Sequence, residues 1–97
     1  MIEYLHDIIR ASYGDEINIA AIIKDARGAY ITDPCYMMLY DNDNILINIG
    51  GVFSDNVWNF TIPSAITSGL KRSHRYYYCV CDKDHNDLCF KQPIYFI

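Results

Sequence analysis

Apolar and polar residues alternate with a period of two in three stretches of the chain, Ile17–Ile23, Val57–Ile62 and residues 76–80. This alternation is typical of β-strands that bury one face, because successive side chains point to opposite sides of a sheet. All three stretches are rich in the β-branched and aromatic residues that suit a pleated sheet. The pattern predicts three strands, with Trp58 on the core face.

Turn-forming residues separate further apolar runs at short intervals. Asn, Asp and Gly are common in these breaks, and they tolerate the left-handed backbone that tight turns require. The runs between them cover residues 35–40, 45–49, 88–90 and 94–97. About seven short strands with turns between them predict an all-β fold of the β-sandwich type.

The N-terminal segment fits more than one structure. Its apolar residues are spaced as on one side of a helix, at Ile2, Leu5, Ile8 and Ile9. The same segment also fits a first strand or an arm that reaches a neighbouring molecule. We therefore separate an arm, first strand or short helix at residues 1–13 from a sandwich domain at residues 14–97. Farther along, residues 64–69 follow a proline and predict one short helical turn.

Composition indicates a single folded domain. The chain has 97 residues, of which 52% are hydrophobic and 21% are charged, which is enough for one core. The net charge of −4 and the pI of about 5.1 argue against nucleic-acid binding, which needs a basic face. No apolar run approaches the ~20 residues that a bilayer requires, so we expect no membrane span.

The oxidation state of the cysteines depends on the compartment in which the protein folds. The N-terminus lacks the basic and apolar regions of a secretory signal, so we expect synthesis in a reducing cytoplasm. Disulfides are rare there. The chain has four cysteines, Cys35, Cys79, Cys81 and Cys89, and we expect them to be mostly structural free thiols.

A metal site is the alternative for the region around the last three cysteines. Cys79, Cys81, His85 and Cys89 fall in a short window and offer thiolate and imidazole ligands for zinc. The window has no CxxC knuckle, and Cys79 and Cys81 would share the outer face of one strand.

Residues 82–87 begin like a calcium-binding loop but lack its glycine, which favours a solvated turn. We expect no metal and no other cofactor.

No catalytic motif is present. The chain has no Gly-x-Ser-x-Gly, no phosphate-binding glycine loop and no His-Glu-x-x-His. Its three histidines fall near turns or the N-terminus. We expect a protein that is not an enzyme.

The basic run at residues 71–75 is expected to be a solvated loop, with docking of an acidic partner surface as the alternative.

Residues 70–80 resemble the corner of fibronectin type III and other immunoglobulin-like sandwiches. In those domains a leucine precedes a crossover loop, and a tyrosine on the following strand hydrogen-bonds back across it. Leu70 and Tyr76 stand at these positions. The resemblance implies an immunoglobulin/fibronectin III-like sandwich, with Leu70 and Tyr76 as its fold-defining corner.

A wider pattern is similar to the small immunoglobulin-like domains of tailed-phage virion proteins, including the N-terminal domain of baseplate upper proteins. It consists of Gly14-Asp15, Asp25-x-x-Gly28, Ile62-Pro63, Thr67-x-x-Leu70 and Tyr76-Tyr77-Tyr78. The resemblance covers residues 14–97. It implies a non-enzymatic virion protein, as a capsid decoration, neck, tail or baseplate component, which contacts other virion proteins and copies of itself.

Contact residues are expected among the tyrosines, the final strand and the N-terminal arm. Nine tyrosines are more than one small core easily hides, and free strand edges are natural assembly surfaces. The expected contact residues are Ile2, Leu5, Tyr36, Tyr40, Tyr77, Ile94 and Tyr95. Two other functions stay open: a carbohydrate-binding module with exposed aromatic platforms, and a small acidic phage inhibitor of a host protein.

Overall fold

Nine strands and one short helix make up the computed structural model, which describes residues 2–97. The elements are β1 (Ile2–Tyr4), β2 (Ile9–Ala11), β3 (Ile17–Ile23), β4 (Tyr36–Asp41), β5 (Asn44–Gly50), β6 (Val52–Ser54), β7 (Val57–Ile62), α1 (Ser64–Thr67), β8 (Tyr76–Cys81) and β9 (Gln92–Phe96). The predicted all-β class and the helical turn after Pro63 are confirmed. The first residue of the predicted N-terminal arm, Met1, lies outside the described residues.

The strand count differs from the expected seven for two reasons. The N-terminal segment forms two separate short strands, and β6 follows a Gly-Gly pair that marked only a turn in the sequence. Residues 88–90, predicted as a strand, instead belong to the loop before β9. The backbone N–H of Leu88 donates to the Val80 carbonyl at 2.9 Å, which holds this loop against β8.

The strands form two sheets. The order is β1-β3-β7-β6 in the four-stranded sheet and β2-β9-β8-β4-β5 in the five-stranded sheet. All pairs are antiparallel except β2 and β9, which run parallel. A single core lies between the sheets, so the arrangement fits the predicted β-sandwich.

The core is formed by the apolar side chains that point inward at every second position of the strands. Along β3 the side chains of Ile17, Ile19, Ala21 and Ile23 are buried, while those between them are more exposed. From the facing sheet come inward side chains of β4 and β8, chiefly Met37, Leu39, Tyr78 and Val80. Full burial of one such aliphatic or aromatic side chain stabilises the fold by about 1.5–3 kcal/mol.

Each of two chain segments supplies one edge strand to each sheet. Residues 2–11 place β1 in one sheet and β2 in the other, and residues 44–54 do the same with β5 and β6 on the opposite side. The second crossing occurs at Gly51. A Cβ atom there would lie 2.6 Å from a ring carbon of Phe60 and 2.7 Å from one of Trp58. Only glycine lets the backbone pass these rings.

The turn between β6 and β7 has the backbone that a two-residue hairpin prefers. Asp55 and Asn56 have φ values of 52° and 64°, as in a type I′ turn. Asp and Asn tolerate this conformation because their short polar side chains bond locally. The hairpin therefore closes without glycine.

No helix within residues 2–97 is long and apolar enough to cross a membrane.

Candidate interaction surfaces

The loop before β8 is held by the first tyrosine of that strand. The phenol oxygen of Tyr76 accepts a hydrogen bond from the backbone N–H of Lys71 at 2.7 Å and lies 3.4 Å from the Lys71 carbonyl oxygen. Tyr76 is buried, and burial raises the pKa of its phenol. Leu70 is half-buried at the start of this loop. One aromatic side chain thus fixes residues 71–75 against the end of a sheet.

The four zinc candidates do not converge on one point. Cys79 and Cys81 lie on one face of β8, as expected for residues two apart, but both are fully buried rather than on an open outer face. The reason is that the loop after β8 folds back, and the Cys89 carbonyl accepts from the Cys79 thiol at 3.1 Å. His85 lies elsewhere, stacked on Tyr36 with ring centroids 5.3 Å apart. Within the described residues, no three metal-binding side chains form a group.

The three fully buried thiols, those of Cys35, Cys79 and Cys81, are protonated at neutral pH. Burial raises the pKa of Cys79 to about 12 and that of Cys35 to about 11, from an ordinary value of 9.0. It also raises the pKa of Cys81. A nucleophilic cysteine needs the opposite, a lowered pKa that favours the thiolate. All four cysteines are free.

Residues 82–87 form a turn whose first carboxylate is bound by the turn's own backbone. The Oδ1 atom of Asp82 accepts hydrogen bonds from the N–H groups of Asp84 and Asn86, both at 2.9 Å. The backbone bond from Asn86 is the main cause that holds the pKa of Asp82 below its ordinary value. Backbone amide donors therefore order this turn.

Residues 44–54, which we call the uncharged edge, form a continuous free margin of the molecule. β5 and β6 pair with β4 and β7 on one side and with no described strand on the other. The segment contains no charged residue and no proline. A register shift leaves Leu46 as a bulge near the hairpin end. Ile45, Leu46 and Val52 are 58%, 46% and 66% exposed. Natural edge strands usually carry charges or proline that prevent pairing with another chain.

Residues 2–11, which we call the charged edge, bound the opposite side. The segment has exposed charged side chains at Glu3, Asp7 and Arg10, and its two strands have three residues each. The predicted contact residues in this segment differ in exposure. Ile2 is half-buried against the core, whereas Leu5 is 48% exposed.

A tyrosine links the charged edge to the loop between β8 and β9. The Tyr4 phenol oxygen lies 2.9 Å from the Sγ atom of Cys89, which in turn lies 3.8 Å from that of Cys79. The Tyr4 ring also meets Tyr78 edge-on at 5.4 Å. Burial is the main cause that raises the pKa of Tyr4. The charged edge is therefore fastened to the body of the protein by a side chain.

The remaining predicted contact residues separate into exposed and buried ones. Tyr77 is half-buried and Tyr95 is 54% exposed, both on the outer face of the five-stranded sheet. Tyr40 is 9% exposed, with the Lys91 ammonium 4.1 Å from its ring centroid. Ile94 is 4% exposed and belongs to the core, so its expected role in contacts is wrong. It alternates with Tyr95, and only one of two neighbours on a strand faces outward.

Trp58 is not available as a platform for sugars. It is 3% exposed, and its indole N–H donates to the Ile31 carbonyl at 2.8 Å. Phe53 and Phe60 pack against the ring with centroids 5.2 Å and 6.3 Å away. The predicted core position of Trp58 is confirmed, which removes the largest aromatic surface that a carbohydrate-binding module would use.

A scan against models of known protein families finds no match to the chain, and a search of curated proteins finds none either. The function is therefore argued from the surfaces of this molecule.

Proposed function

We propose that the two-sheet fold is an immunoglobulin-like sandwich. The order β1-β3-β7-β6 corresponds to the ABED sheet of that fold, and β9-β8-β4 corresponds to its GFC sheet. The first strand is divided between the two sheets and β5 is added beside β4, which raises the count from seven to nine. The hydrogen bond between Tyr76 and Lys71 corresponds to the tyrosine corner at the start of strand F.

We propose that the protein is a non-enzymatic structural component of a bacteriophage particle, where it holds neighbouring proteins in place. The uncharged edge is the observation that carries the assembly role, because a protein that stays alone in solution protects such an edge. The similarity of residues 14–97 to immunoglobulin-like virion domains supports the phage particle as its location.

The uncharged edge suits strand addition by a neighbour. An incoming strand would pair with the free N–H and C=O groups of β5 or β6, and pockets between the side chains would select its sequence. It would also cover Ile45 and Val52, which are now more than half exposed. Removal of this apolar surface from water favours such a contact.

The protonation of the buried thiols and the hydrogen bonds of the histidines support a role without catalysis. The buried thiols are protonated, as described above. Each of the three histidines bonds to a group other than cysteine. His6 lies 2.8 Å from the Asp7 carbonyl oxygen, His74 lies 2.6 Å from the Asp41 carboxylate, and His85 lies 3.1 Å from the Asn48 amide. None of these contacts pairs an imidazole with a nucleophile.

Purified particles of the phage that encodes this chain provide the test. Mass spectrometry is expected to find the chain in the particles, and a photoreactive phenylalanine analogue at Val52 is expected to crosslink to one neighbouring particle protein. The same analogue at Tyr30, which is 43% exposed between β3 and β4 and lies outside residues 44–54, is the matched control and should capture little. Absence of the chain from particles, together with co-purification with one soluble host protein, would instead support an inhibitor.

A further inference from the structure

The outer face of the five-stranded sheet carries a groove that is separate from the uncharged edge. Its central part is a cavity of about 470 Å³ with Arg72, Arg75, Tyr77 and Tyr95 in its lining. This volume is within the range of known ligand sites. On one side Arg75 and Tyr77 also line a second hollow, with Lys91. On the other side Tyr95 also lines a third hollow, with Arg10. These three adjacent hollows share lining residues, and we call them together the Arg–Tyr groove.

The groove is basic although the protein is acidic. Four cationic side chains line it, Arg10, Arg72, Arg75 and Lys91, and among the described residues Asp43 supplies the only acidic side chain of the lining. The whole chain has 12 acidic and eight basic residues, so half of its cations gather on one face. In the described part of the chain, the three arginines form no ion pair, whereas Lys91 lies 3.5 Å from Asp43.

Contacts between aromatic rings fix part of the lining of the central cavity before anything binds. Tyr13 stacks on Phe96 with centroids 4.9 Å apart, and Phe96 meets Tyr76 edge-on at 5.7 Å. The Arg72 guanidinium lies 5.3 Å from the Tyr13 centroid, which holds it over that ring. A side chain held in this way loses little entropy when it binds a ligand.

The loop that bears the arginines is also tied at several points. Asp41 binds His74 at 2.6 Å, and the Arg75 carbonyl accepts from the Asn42 N–H at 2.8 Å. The bond from Lys71 to the Tyr76 phenol fixes its beginning. The backbone that carries the two arginines is therefore held by the folded structure rather than by a free loop.

We propose that the Arg–Tyr groove binds an extended acidic segment of a partner protein. Guanidinium groups pair with carboxylates through two parallel hydrogen bonds, and Tyr and Arg are the residues that dominate protein contacts. Three hollows in a row, each with its own cation, fit an extended chain with several carboxylates better than one compact anion. A long polyanion such as nucleic acid is disfavoured by the chain's net charge of −4.

The test uses two synthetic octapeptides on the full chain at about 0.15 M salt, one alternating Glu with Gly and the other alternating Gln with Gly. The Glu peptide is expected to cause saturable NMR shifts at the amides of residues 72–77, 94 and 95, and the Gln peptide is expected to cause none. The variant Arg72→Gln/Arg75→Gln should weaken binding of the Glu peptide at least tenfold. The variant Arg27→Gln/Lys83→Gln removes the same charge outside the groove and should change binding less than twofold.

Several outcomes would overturn the proposal. They are the absence of saturable shifts in the groove, equal binding of the Gln peptide, and equal losses in the two double variants. Tighter binding of an oligothymidylate than of the Glu peptide would assign the groove to nucleic acid instead. None of these measurements involves the uncharged edge, so the result is independent of the proposed role in a phage particle.

Discussion

The charged edge and the uncharged edge occupy equivalent positions on opposite sides of the protein. Each is one chain segment that begins in one sheet and ends in the other. At the charged edge, the strands have three residues each, carry charges and are separated by a loop. At the uncharged edge, the first strand has seven residues, the next follows after Gly51, and no residue is charged.

The difference between the edges indicates that protection from strand pairing is local. Charges and short strands at residues 2–11 discourage a second chain from pairing there, and Tyr4 fastens the segment to Cys89. At residues 44–54 the edge is interrupted by the bulge at Leu46 and by the crossing between the sheets at Gly51. A sheet fold can thus leave one margin available for assembly while it protects the other.

The largest expected effect is on assembly. Val52→Lys places a charge on the uncharged edge, where strand addition would bury it without a partner. We expect the number of variant chains in purified particles to fall about 100-fold, equivalent to about 3 kcal/mol. Leu5→Lys is the matched control, since it adds the same charge at a position 48% exposed on the charged edge. Equal losses for the two variants would contradict the distinction between the edges.

A smaller effect is expected at the crossing of the uncharged edge. Gly51→Ala forces a methyl group against Phe60 and Trp58, and overpacking of this kind costs about 2 kcal/mol in the free energy of unfolding. Gly50→Ala is the neighbouring control, because its Cβ would meet only a Tyr36 ring carbon at 4.0 Å. Urea unfolding of both variants measures the difference. Equal stability of the two variants would show that the rings move aside easily.

The smallest effect concerns alkaline pH, and it compares the uncharged edge with Cys79, to which Tyr4 of the charged edge is linked through Cys89. Burial raises the folded-state pKa of Cys79 to about 12, above its ordinary value of 9.0. The folded protein therefore retains this proton when the unfolded chain loses it. Stability is complete below about pH 9 and falls as the pH rises toward 12, by about 1 kcal/mol over the first unit.

The measurement is urea unfolding between pH 7 and pH 10.5. Cys79→Ala is expected to reduce the decline in stability above pH 9, because the thiol no longer titrates. Val52→Ala should leave the decline unchanged, since the uncharged edge contains no titratable side chain. A decline of the same steepness in Cys79→Ala and in the original protein would show that other groups cause it.

Local patterns in the sequence predicted the strands in which apolar and polar residues alternate strongly. They failed where contacts between residues distant in sequence determine the structure. In β3 and β7 the alternation set the buried face correctly, including the position of Trp58. β6 has three residues, too few to show a period, and its structure depends on pairing with β7. The loop that covers Cys79 likewise depends on long-range packing, so the burial of this thiol was not predictable from strand parity.

The candidate surfaces were predictable only in part for a related reason. Sequence identified Tyr77 and Tyr95 as candidate contacts, and both are accessible on one face of the protein. It gave no means to place Ile94 in the core, because the final strand has apolar residues on both faces. Nor did it join Arg10 to Arg75, since the groove between them exists only when β2, β9 and β8 lie side by side.

The parallel pairing of β2 with β9 has a consequence for the order of folding during synthesis. Ile9 pairs with Ile94, 85 positions later, and the Ile97 N–H donates to the Ala11 carbonyl at 2.8 Å. Pairs so distant in sequence form slowly, because a long loop must close first. On the ribosome, β2 therefore waits without its partner until β9 emerges. During that interval the nascent chain exposes unpaired strands and is most vulnerable to aggregation.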